Sequence, residues 1–162
     1  MFTRTTLGAG MIAVVTTLIY ASAWGDVPVP YPADYRKWSV LKTFVIGTQH
    51  KKFESLGGMH HYYANDKARE SFGQGKFAEG SIIVDERVQA AEHEGAIFEG
   101  KRISAAVMIK DSARYRDTGG WAFDLFTEGA TPRGASAEVR AACFECHSKR
   151  KDQDYVFTEL KN

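Results

Sequence analysis

Residues 81–90, SIIVDERVQA, and 102–110, RISAAVMIK, decide the fold. Both are rich in residues that favour a pleated, half-buried surface, and both lack proline and glycine, so each reads as a strand. On the N-terminal side, 40–47 (VLKTFVIG) has the same character, and Gly57-Gly58 opens another apolar segment, Met59 to Ala64. On the C-terminal side, 121–126 (WAFDLF) alternates apolar and polar residues in strand fashion. The helices predicted between them are short. They cover Ala33–Trp38, Asp66–Phe72 with Asn65 as N-cap and glycines 73 and 75 as the stop, and a polar Asp111–Asp117 ended by Gly119-Gly120. The last is an alanine-rich Ala137–Lys149. About five strands with three or four short helices, the strands grouped in the middle, predict a predominantly antiparallel α+β domain.

The flanks are simpler. Asp26 to Pro32 is an extended lead-in, because each proline fixes φ and turns its predecessor away from helix, and Thr131–Ala135 is a loop. Residues 1–23 carry one charge, Arg4, then an apolar run from Leu7 to Tyr20 and an Ala21-Ser22-Ala23 cleavage pattern. That is the layout of a removable export signal, and the run of about 14 residues is short of the ~20 that span a bilayer. The expected mature protein is residues 24–162, one domain in a bacterial periplasm and free of the membrane. The full chain has 162 residues, 21 basic and 20 acidic. Losing Arg4 makes the two equal, which leaves no basic footprint for nucleic acid. With 44% hydrophobic and 25% charged residues, neither disorder nor a polytopic membrane protein fits.

Both cysteines fall in Cys143-Phe144-Glu145-Cys146-His147, the C-x-x-C-H attachment pattern of c-type haem. On a helix, positions i, i+3 and i+4 share one face. Two thiols can then add to the two vinyl groups of one haem while His147 presents an imidazole nitrogen to its iron. A structural zinc site needs four ligands, and His50, His60, His61 and His93 supply no second pair at suitable spacing. A thioredoxin-like pair belongs beside a βαβ pattern, which is absent, and a plain disulfide leaves the histidine without a role.

The iron's other face separates a carrier from a ligand-binding site. No histidine or methionine follows His147, so a sixth ligand must come from upstream: Met59, Met108, His50, His60 or His61. Met108 reads as core filler in an apolar strand. His60 and His61, adjacent in a strand, point to opposite faces. The expectation is an open, five-coordinate iron. Cytochromes c′ share a C-terminal motif and open iron, but their four-helix bundle does not fit a strand-rich chain.

The chain resembles the cytochrome P-460 / cytochrome c′-β family in ordered pieces that cover nearly all of residues 24–162. These are Tyr31-Pro-x-x-Tyr35-Arg-x-Trp38, Gly57 to Asn65, Gly75 to Ser81, Val107 to Ser112 with Arg114-Tyr115, Gly120 to Phe123, Cys143 to His147, and Asp152-x-Asp154-Tyr155-Val156-Phe157. The resemblance implies an antiparallel β fold, usually a homodimer, with one covalent haem c per chain. It implies two branches. One oxidises hydroxylamine and carries a lysine cross-linked to the haem edge, for which Lys67 and Lys76 lie in the right region without matching a motif. The other has an apolar distal pocket with phenylalanine over the iron and binds nitric oxide or carbon monoxide. Phe77 resembles that distal phenylalanine, Phe53 is a second candidate, and Glu86 resembles an acid near the distal side of the enzymatic branch.

The leading expectation is therefore a periplasmic haem c protein binding nitric oxide or a similar small ligand, served by a periplasmic electron-transfer partner. An oxidoreductase acting on hydroxylamine or nitric oxide, and a simple electron carrier, are the alternatives.

Overall fold

The computed structural model describes residues 29–127 and 134–160. Residues 1–23, read from the sequence as an export signal, the start of the proline-rich lead-in and part of the Thr131–Ala135 loop lie outside them. Five strands form one antiparallel sheet in chain order: β1 (Ser39–Ile46), β2 (Gly58–Ala64), β3 (Ile82–His93), β4 (Ala96–Lys110) and β5 (Trp121–Thr127). Among the described residues three α-helices accompany them: α1 (Phe53–Leu56), α2 (Asp66–Ser71) and α3 (Ala137–Ser148). The α+β, mostly β reading is thus correct. Among the described residues no helix is long and apolar enough to cross a membrane.

Both central strands run further than the sequence reading had them. Glu94 and Gly95, at φ 50° and 81°, make a two-residue turn that joins β3 and β4 into one long hairpin. At the other end of β4 the polar helix predicted at Asp111–Asp117 is replaced by turns and a single 3₁₀ turn at Arg116–Thr118. The Asp111 carboxylate accepts from the Arg114 amide at 3.1 Å, which favours a local turn over helix. Gly119 and Gly120, both left-handed, then bring the chain back as β5. Near the N-terminus the predicted helix is a 3₁₀ turn at Tyr35–Lys37. Asn65 does cap α2, its side-chain oxygen accepting from the Ala68 amide at 3.0 Å.

Each face of the sheet has its own apolar cluster. One holds Tyr35, Val84, Ala105, Val107, Ala122 and Phe126 under the N-terminal segment. The other holds Ala64, Ile83, Met108, Trp121, Phe123 and Val156, with α2, α3 and the C-terminal segment above it. The registers Ala64↔Ile83, Ile83↔Met108 and Met108↔Phe123 carry this second face across four strands.

Candidate functional site

α3 supplies the C-x-x-C-H residues. It is alanine-rich and lies beside β5, yet it buries none of its side chains completely. Cys143 and His147 face the sheet and line a cleft between α3 and the strands, while Cys146 is exposed at the helix surface. Both thiols are free, and burial pushes the Cys143 thiol up. His147 Nδ1 lies 2.7 Å from the Tyr155 carbonyl. A carbonyl only accepts, so Nδ1 carries the proton and Nε2 keeps its lone pair for a metal. Phe123 and Phe157 flank the ring at 5.0 and 5.1 Å between centroids. Burial lowers the imidazole's pKa and keeps it neutral, the ligating form.

The sheet side of the cleft is mostly apolar, with Ile83, Met108 and Phe123 in one cross-strand row. Its polar lining includes Asp124 on β5, Thr158 in the C-terminal segment, and Tyr62 and Asp85, which occupy a directly paired position on β2 and β3. Asp85 binds His60 Nδ1 at 2.8 Å, and His60 Nε2 meets the Leu56 carbonyl at 2.8 Å. The His60 ring also stacks on Phe44 at 4.9 Å. Burial works against a charge on His60, but the Asp85 carboxylate outweighs it and raises its pKa. Tyr62 is raised as well, by burial and then by Asp85.

A folded-state pKa above the ordinary 6.5 means that the His60–Asp85 pair stabilises the fold fully below that value. Its contribution is lost as pH rises through the raised one. A His60→Gln variant should therefore fall short of the wild type by more in urea unfolding at about pH 5.5 than at about pH 9. An equal deficit at both would show that His60 stays neutral throughout.

The family model for Cytochrome P460 matches residues 32–158, from the N-terminal 3₁₀ turn through the segment that follows α3. The chain belongs to the cytochrome P460 family. A search of curated proteins finds no match.

A cytochrome of the P460 family binds haem, and this site fits one. The cleft has an apolar wall, a neutral histidine with its second nitrogen committed to a carbonyl, and a free thiol on the same helix face. Among the described residues no three His, Cys, Asp or Glu side chains gather into a metal cage.

Most of the distal residues suggested by the resemblance lie elsewhere. Glu86 is 2% exposed and sits on the opposite face of the sheet from His147. There it accepts from Tyr35 Oη at 2.6 Å, from the Arg36 guanidinium and from Tyr63 Oη at 3.4 Å. Phe77 packs edge-on against Phe72 and Trp121, in a groove adjoining the cleft rather than in its wall. Phe53 is on α1, 40% exposed. His61 faces away from the cleft beside Thr43 and Glu99. Lys67 reaches the Glu79 carbonyl at 3.2 Å, and Lys76 is exposed in the turn before Phe77. The lysine that the β1–β2 register places on the cleft face is Lys42, opposite Tyr62.

The sequence reading missed Asp85, an acid that does line the cleft. Alternation from Ile83, apolar and cleft-facing, would have found it once the cleft face was known.

Proposed function

We propose that the protein is an exported haem c protein that binds nitric oxide or a related small ligand at an open iron position. Cys143 and Cys146 form the thioether links and His147 is the axial ligand. Haem supplies an iron with one position held by the protein and one free for exchange. The observation that carries the reading is the fate of the two adjacent histidines of β2. Both ring nitrogens of His60 are occupied, and His61 lies on the far face of the sheet. Met108 lines the cleft, but within a packed row between Ile83 and Phe123, where it fills space as an apolar side chain does.

The reading makes the ferric protein high-spin at neutral pH. Carbon monoxide or nitric oxide added to the reduced protein should shift the Soret band, and Met108→Leu should leave both spectra unchanged. A low-spin ferric spectrum that Met108→Leu converts to high-spin would overturn it in favour of an electron carrier.

Asp85 favours a second reading, an oxidoreductase acting on hydroxylamine. Oxidising hydroxylamine releases protons, and a carboxylate opening into the cleft can accept one. This branch requires a lysine joined to the haem edge. Peptide mapping decides it: Lys42, Lys67 and Lys76 all unmodified would rule it out. In either reading the protein is a periplasmic homodimer with an electron-transfer partner, and its mature N-terminus is Trp24.

A further inference from the structure

Two stretches named in the family resemblance meet in a place that ligand binding does not explain. Lys110, at the end of β4, and Asp154, in the segment after α3, form an ion pair at 2.7 and 3.0 Å. Their side chains are only 8% and 10% exposed. Every partner they have is internal. The Lys110 ammonium also donates to the Gly119 carbonyl at 3.1 Å and lies 5.1 Å over the Trp121 ring. The second Asp154 oxygen accepts from the Phe77 amide at 2.8 Å.

That carboxylate stands at an unusual point of the backbone. Asp154 and Tyr155 are consecutive non-glycine residues in the left-handed region, at φ 48° and 66°. Such a conformation persists only where its surroundings enforce it. Here β4 and the Phe77 turn grip the Asp154 side chain from two directions. The Tyr155 ring meanwhile packs so closely on Gly119 that a Cβ there would run into it. The next carbonyl along, that of Tyr155, is the acceptor for His147 Nδ1.

We propose that Lys110 and Asp154 are positioning residues for the axial histidine. Their buried pair holds the left-handed turn that aims the Tyr155 carbonyl at His147, and so sets the orientation and donor strength of the iron's protein ligand. A hydrogen bond at Nδ1 raises the basicity of Nε2, and a carbonyl held in place keeps that bond short. The inference rests on His147 being the axial ligand.

Holo-protein carrying Asp154→Asn and, separately, Lys110→Met is compared with the wild type by resonance Raman of the ferrous state and by potentiometric titration. In both variants the iron–histidine stretching band moves to lower frequency and the midpoint potential rises, because the histidine becomes a poorer donor. The double variant shifts no further than the larger single one, since the two residues act as a unit. Asp152→Asn, an exposed carboxylate two residues away, leaves both readouts in place. A role in stability alone would lower the melting temperature while band and potential stay put, and that outcome overturns the inference. Should either variant take up no haem, Asp154→Glu or Lys110→Arg, which keep the charge but move the bond, are read by the same criterion. A wild type without any iron–histidine band overturns the five-coordinate reading itself. A wild-type band with unmoved variants overturns only the positioning role.

Discussion

Replacing Cys143 and Cys146 together by serine should give a chain whose haem, if taken up at all, is removed by acid extraction, and whose α3 no longer persists. The expectation follows from how little of the helix is buried. α3 spans twelve residues and has no side-chain hydrogen bond at its Ser136 cap. None of its side chains is fully buried. Isolated helices shorter than about 12–15 residues are marginal in water. With the covalent group gone, the opening free energy of α3 should fall towards zero, while β3 and β4 keep the protection of the global fold. Hydrogen exchange followed by mass spectrometry reads both regions in one experiment. Acid-stable haem in the double-serine protein would refute the thioether assignment, and full protection of α3 without haem would refute its dependence on the group.

Glu86→Ala should do the reverse, with a large loss of stability and an undisturbed iron site. Truncation leaves the buried Tyr35 hydroxyl without its 2.6 Å acceptor and removes the partner of Arg36. Removing one member of a fully buried ion pair costs about 3–5 kcal/mol. The Arg36 side chain is 61% exposed and can turn to solvent, which lowers the expected cost to about 2–3 kcal/mol. Because Glu86 faces away from His147, carbon monoxide binding to the reduced protein and its pH dependence should match the wild type. Urea unfolding beside ligand titration tests both halves. Altered ligand kinetics with unchanged stability would restore the proton-transfer role that the family resemblance suggests.

Sequence and structure agree where local chemistry is decisive. The strands carry β-branched and aromatic residues, Asn65 has the short acceptor side chain that a helix start needs, and the C-x-x-C-H spacing is legible on any helix. The face of each strand is another matter. Ile82, Ile83 and Val84 follow one another because both sides of the sheet are covered, so no apolar–polar alternation distinguishes them. That is why Glu86 could be matched to a distal acid while its neighbour Asp85 occupies the cleft. α1 is a single turn, too short for any period to register. The extension of the β3–β4 hairpin runs through exposed, mixed residues whose one signal was Glu94-Gly95.

The order of the strands has a consequence in time. A sheet whose spatial order is its chain order pairs only strands that are neighbours in sequence, which favours rapid assembly. The bonds from Asp154 to Phe77 and Lys110 instead span 77 and 44 residues and join the tail to a sheet that must already exist. The sheet is therefore expected to fold first and the tail to dock last. On the haem c reading proposed above, Cys143 and Cys146 then stay open to the machinery that delivers the cofactor until the tail docks, and closing over that cargo is the expected final act of maturation.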